Sequence, residues 1–129
     1  MDASTSNRQS FSAEEKASIA RRVAKDVVAS DQAIMSMLIL DLEDKGQVLA
    51  VARSSNLPLE EYASPDLVHR FAIAAMVVWG AAESASQLMG RREFIVGAFE
   101  KQMVLLVGWR EYGMLEQVVQ CGAHPWQDR

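Results

Sequence analysis

Apolar residues at positions 19, 20, 23, 24, 27 and 28 recur with the spacing of one helical face, while Arg21, Arg22, Lys25 and Asp26 fall opposite. They predict an amphipathic first helix. Ser12 and Glu15 have the spacing of a capping box, which starts that helix at Ser12 and leaves it to end near Ser30. The pattern then changes period. Residues 34–42, IMSMLILDL, are apolar on both alternating faces and predict an interior strand covered on both sides. Residues 43–46 read as a turn in which Gly46 takes a left-handed conformation, and residues 47–52 return as a second strand. Residues 53–63, with Pro58 among them, read as a polar loop.

Ser64, Pro65 and Asp66 announce a second helix with an N-cap hydroxyl, a proline at the first helical position and an acid at the positive end of the dipole. It is predicted to run to about Met89 and to stop at Gly90. Within it, residues 71–82, FAIAAMVVWGAA, carry no charge and are apolar around the whole circumference. A surface helix needs one apolar stripe, so this one must be covered on more than one side. A membrane, a protein interior, or the chain's own sheet below with a second subunit above would each do so. The membrane reading fails on length, because a span needs roughly 20 apolar residues and this run is bounded by Arg70 and Glu83. The N-terminus has no basic region followed by an apolar core, so neither signal peptide nor anchor is expected, and the reading is a soluble cytoplasmic protein.

Residues 93–99 and 102–109 are strand-like runs joined by Glu100 and Lys101 as a hairpin. Gly97 and Gly108 interrupt them, which predicts a bulge or the close approach of another backbone. Residues 114–121 fit strand and helix alike, since Met114, Leu115, Val118 and Val119 also sit at helical spacing. Residues 1–11 and 122–129 read as disordered tails around one domain, 12–121. Helix, hairpin, helix and then strands make an α+β arrangement with one antiparallel sheet and segregated helices.

Composition narrows the function classes. The chain has 129 residues, half of them hydrophobic, with a net charge of -4 and a pI near 5.1. Nucleic acid is excluded as a main partner, because phosphate binding needs a basic patch that the sequence lacks. Cys121 is the only cysteine, which rules out an intrachain disulfide and fits a reducing compartment. His69 and His124 have no metal-ligand spacing, and there is no HExxH motif, so no metal or cofactor is expected. The phosphate-binding GxxxxGK[ST] loop and the GxGxxG fingerprint are absent too. Glu14 with Glu15, Asp41 with Asp44, and Glu60 with Glu61 read as a helix start, a turn and a loop rather than as catalytic carboxylates. Nothing here points to an enzyme.

The hairpin MLILDLEDKGQVLAVARSS, the alanine-rich helix AIAAMVVWGAAESASQLMG and the following REFIVGAFEKQMVLLVGWREYGML together resemble the roadblock family, that of the dynein light chains of that name and of small bacterial and archaeal GTPase regulators. The resemblance spans roughly residues 13–121. It implies a five-stranded antiparallel sheet flanked by helices in the order α-β-β-α-β-β-β, a roadblock/profilin-like sandwich whose fifth strand falls on residues 114–119. It also implies a homodimer in which the second helix and the strand after it meet their copies. The residues permit this independently, because Ala74, Ala81 and Ala85 line up on the helix with Leu67 nearby and Phe71 and Val78 on the flanks. The implied interface adds Phe94, Val96 and Ala98. The bland alternative is that the alanine seam rests on the chain's own sheet.

His69, Met76, Glu83 and Gln87 form the helix's most polar stripe, which reads equally as a solvated face and as a partner-facing one. On the resemblance, the partner is a Ras-like small GTPase or a larger protein complex, and the role is regulation, activation of hydrolysis, or scaffolding. Arg91 and Arg92 follow the helix where an inserted arginine finger would stand, although stabilising the helix dipole is a sufficient role for them. The family's bacterial activators are thought to rearrange the GTPase's own residues instead. Two alternatives remain: a purely structural subunit, and a small-ligand sensor whose pocket is lined by Trp79, Phe94, Phe99 and Trp109.

Overall fold

A computed structural model of the chain describes residues 12–55 and 64–121, with the side chain of residue 121 left out. The two predicted tails and most of the polar loop lie outside the described residues. The first helix, α1 (Ala13–Ser30), begins with the expected capping box: the Ser12 hydroxyl accepts from the Glu15 amide at 3.1 Å, and the Ser12 amide donates to Glu15 Oε1 at 3.3 Å. Strands β1 (Ile34–Asp41) and β2 (Gln47–Arg53) form the predicted hairpin. At its turn Gly46 has φ 78° and donates its amide to the Asp41 carbonyl at 2.8 Å. Met76 fixes this residue as strongly as the backbone does, since a Cβ there would lie 2.7 Å from Met76 Cγ.

The second helical segment divides in two. Helix α2 (Pro65–Ala81) starts at the Ser64 cap, and α3 (Glu83–Met89) follows after Ala82 and ends at Gly90, whose φ is 94°. Then come β3 (Phe94–Ala98), β4 (Gln102–Trp109) and β5 (Met114–Cys121). The segment 114–121, which periodicity leaves open, is a strand. Residues 114–119 are all buried, and a strand covered on both faces loses the alternation that would distinguish it from a helix. The five strands form one antiparallel sheet in the order β2-β1-β5-β4-β3, so the chain is α+β with the element order predicted.

Each face of the sheet carries its own core. Under α1, Ala20 and Ala24 pack with Met37 and Ile39 of β1, Ala50 of β2, and Met114 and Val118 of β5. Under α2, Ala72, Ala75 and Trp79 pack with Leu38, Leu40, Leu106 and Leu115. Neither glycine in the β3–β4 hairpin makes a bulge, and the registers of β3–β4 and β4–β5 run without a shift. Gly108 instead admits a side chain: a Cβ there would lie 2.5 Å from Trp79 Cζ2.

Three ionisable residues among those described are sunk into this frame, Lys16, Asp41 and Glu116. Lys16 of α1 is buried and bonds Asp41 Oδ1 at 3.1 Å, and it also pairs with Glu43, tying the helix to the end of β1. Burial works to lower the pKa of its ammonium, but the hydrogen bonds and charges of Glu43 and Asp41 outweigh it and the net shift is upward. The lysine's contribution is therefore present through neutral pH and is lost as pH rises through its raised pKa. Glu116, in mid-β5, is 8% exposed, and its Oε1 has no hydrogen-bond partner among the described residues. Desolvation pushes its carboxyl up to about 7.

Two outcomes follow from this packing. Gly108→Ala should destabilise the protein by about 1–3 kcal/mol, read from the denaturant midpoint, because Trp79 must shift to admit the methyl; an unchanged midpoint would contradict the contact. For Glu116, the unfolded chain loses its proton near pH 4.5 while the folded chain holds it to about pH 7, so stability falls as pH rises through that window. Glu116→Gln should match the parent near pH 4 and exceed it at pH 8 by on the order of 3 kcal/mol. Parallel pH profiles for the two proteins would refute the buried carboxyl.

Candidate interaction surface

Helix α2 is apolar all round, yet the structure covers only one of its sides. Ala72, Ala75 and Trp79 face the sheet, with Val68, Phe71 and Met76 packed at the edges of that contact. Directly opposite, Ile73 is 51% exposed and Val77 64%, with Gly80 open beside them. Beyond Ala82, Leu88 and Met89 of α3 are more exposed still. The alanine seam lies between these two sides. Ala74 and Ala81 are exposed and Val78 is 45% exposed, whereas Leu67, Phe71 and Ala85 are half-buried.

Sequence reasoning named the seam residues but passed over Ile73 and Val77, the most exposed large apolar side chains of α2. The signal was Trp79. Once the largest side chain of the helix is assigned to the sheet, the 100° rotation per residue turns 77 nearly opposite to it and 73 well away from the sheet.

The β3 residues of the expected interface lie elsewhere. Ile95 packs under α2, so by strand alternation Phe94, Val96 and Ala98 face the α1 side of the sheet, where all three are exposed. They meet the α2 seam only around the free outer edge of β3, which among the described strands pairs with β4 alone.

The polar stripe does not stay intact. His69, Glu83 and Gln87 are exposed, but Met76 is half-buried against the core and over Gly46. Glu83 is engaged by Arg92, whose guanidinium also lies 4.5 Å from the centre of the Trp79 ring. Arg92 is thus held against the helix it follows, by a tryptophan and a carboxylate rather than by the dipole, while Arg91 is exposed.

The aromatic set expected to line one pocket is dispersed. Trp79 is in the core. Phe94 and Trp109 border an open cavity of about 750 Å³ near Arg91 and Glu111. Phe99 stands at an apolar cleft of about 320 Å³ between α2 and the β3–β4 hairpin. Among the described residues, no three His, Cys, Asp or Glu side chains come close enough to hold a metal ion. His124 lies outside the described residues.

Length does not exclude a membrane, contrary to the expectation from the charge-free run. The helical run Pro65–Met89 has 25 residues and contains an 18-residue stretch with a mean hydropathy of 1.2, long and apolar enough by those measures to cross a bilayer. Residues 71–82 alone were too short a measure of the helix. What speaks against insertion is packing, since removing α2 from the sheet would uncover Leu38, Leu40, Leu106 and Leu115.

No family model and no curated protein matches the chain. Among solved structures, it is similar to the gliding protein MglB from Thermus thermophilus, with a TM-score of 0.64 and 19% identity over 92% of this chain and 81% of that one. A structure described as MglB with tetrameric arrangement gives 0.65 at 20% identity, covering 92% and 80%. A Roadblock/LC7 domain from Streptomyces avermitilis gives 0.53 at 16%, covering 69% and 67%. With the sheet order, the two helical layers and these likenesses together, the chain has the roadblock fold.

Proposed function

We propose that the protein is a non-enzymatic, cytoplasmic, homodimeric roadblock-type regulator or scaffold that docks a Ras-like small GTPase. The observation that carries this reading is the uncovered apolar exterior of α2, with Ile73 and Val77 exposed on a helix whose other side is locked to the sheet. Scattered exposed hydrophobics need no explanation, but a contiguous set on one rigid helix calls for a partner. Small residues at 74, 80 and 81 would let a second helix approach closely. The resemblance to roadblock GTPase regulators names the kind of protein that such a platform would serve, and the likeness to MglB supports the same direction.

On this reading, any stimulation of hydrolysis comes from rearranging the GTPase's own residues. The engagement of the Arg92 guanidinium by Trp79 and Glu83 supports this scheme over an inserted arginine finger.

Ala81→Arg should give a folded monomer, with the mass in sedimentation halved and the circular dichroism unchanged; a variant that remains dimeric would place the two-fold contact elsewhere. In single-turnover hydrolysis with a Ras-like GTPase from the same organism, Arg92→Ala should keep the stimulated rate within about threefold, against the roughly three to five orders of magnitude that loss of an arginine finger removes. A collapse to the intrinsic rate would reverse the assignment.

A further inference from the structure

Helix α1 lies over β1 and β2, so the same face of the sheet over β4 and β3 has no helix on it among the described residues. Phe94 and Val96 stand there 60% and 51% exposed, with Ala98 exposed and Met103 and Val107 half-buried beside them. Two strands span roughly 10 Å, the width of one helix. The contacts assigned to dimerisation leave this surface open. A seam on α2 lies on the opposite side of the sheet, and pairing along the outer edge of β3 would run in the plane of the backbone, with the side chains still free above it.

Glu116 belongs to this surface. It stands opposite Val107 in the β4–β5 ladder, and Val107 stands opposite Phe94, so the three form a row on one face from mid-sheet to the edge. Glu116 is 8% exposed, and its Oε1 has no hydrogen-bond partner among the described residues. A buried acceptor left unpaired is costly. The other half of the same face shows how this fold settles such a group. Asp41 stands opposite Met114 on that side, and Lys16 reaches it from the helix above, Nζ to Oδ1 at 3.1 Å. Glu116 has the carboxylate half of that arrangement.

We propose that this half of the face docks an amphipathic helix of a partner protein, apolar on its docking side and carrying there one lysine that pairs with Glu116. The lysine stem lies along Val107, and the ammonium takes the free acceptor. Charge complementarity decides against a second copy. Residues 71–82 of α2 carry no charge, α3 holds neither lysine nor arginine, and the apolar side of α1 is committed to its own core. Burial pushes the Glu116 carboxyl up to about 7, so it can give up its proton to such a lysine close to neutrality.

The probe is a helical peptide of about 18 residues, long enough to span β4. It has a leucine face with one lysine at its centre, and alanine and glutamate elsewhere; a control peptide carries norleucine in place of the lysine. Both are titrated into the full chain at pH 8 while amide chemical shifts are followed by NMR. Saturable shifts clustered at residues 94, 96, 105 and 107 are expected, with the lysine peptide binding about tenfold more tightly than the control. Glu116→Gln should bring the two affinities within about twofold of each other, and Val96→Asp, at an exposed position, should weaken both about tenfold. An absence of saturable shifts, shifts confined to the neighbourhood of 73 and 77, an unchanged preference in Glu116→Gln or unchanged affinity in Val96→Asp would each overturn the proposal. Two further results would reassign the face. Shifts there that follow protein concentration without peptide would give it to a second copy, and binding seen only after deletion of residues 122–129 would give it to that segment. None of these measurements uses a GTPase, and their failure leaves the regulatory reading standing.

Discussion

The contact between Trp79 and Gly108 fixes the rotation of α2 about its own axis, and most of what the surface can do depends on that angle. A helix with apolar residues on every side has no hydrophobic reason to choose one of them. Size and shape choose instead. Trp79 is the largest side chain on the helix and finds the one place on β4 where no Cβ stands in its way. Arg92 then closes over the ring from the far end, with Glu83 holding the guanidinium. Ile73 and Val77 are outward because Trp79 is inward, and a rotation of one residue would exchange the roles of seam and core.

The opposite face of the sheet is organised by charge as well as by packing. Lys16 reaches from α1 to Asp41 and Glu43 at the β1–β2 turn, in the same stretch where Gly46 makes room for Met76 of α2. One short turn therefore anchors both helical layers to the sheet. Breaking such a buried pair on one side is costly because it strands the other charge, which gives this turn more influence on the fold than its length suggests. Glu116 is a different case. It sits in the central strand without a partner for Oε1, and the fold accommodates it by keeping its proton.

Much of this was legible in the residues. Capping signals at Ser12 and Ser64, the glycines at 46 and 90 and the doubly apolar β1 are local, and local rules place them correctly. The resemblance to roadblock domains supplied the fifth strand that periodicity could not, at 114–119, where burial on both faces erased the period-2 signal. The surface was harder to read. Phe94, Val96 and Ala98 share a sequence neighbourhood with α2 yet lie on the other face of the sheet, because alternation along β3 depends on which residue goes inward. Met76 looked like part of a polar stripe from its helical angle alone, but the β1–β2 turn, some thirty positions earlier in the chain, folds back beneath it. The break at Ala82 further separates Glu83 and Gln87 from the line of α2.

Why the outer face of α2 suits a protein better than a lipid surface follows from its charges. Helices that lie on membranes pair their apolar side with a lysine- and arginine-rich border that meets anionic headgroups. Here Arg70 is bound to Asp66 one turn away, Arg92 is bound to Glu83, and the chain as a whole carries a net charge of -4. An apolar strip whose neighbouring arginines at 70 and 92 are already paired, leaving Arg91 at one end, gains little from such a membrane and would bring net negative charge toward it. The same strip, one large residue per turn at Ile73 and Val77 beside glycine and alanine at 80 and 81, matches the ridges and grooves of another helix. Trp79 and the core beneath α2 hold the strip in one orientation, and a surface already ordered loses less entropy on docking than one that must be ordered.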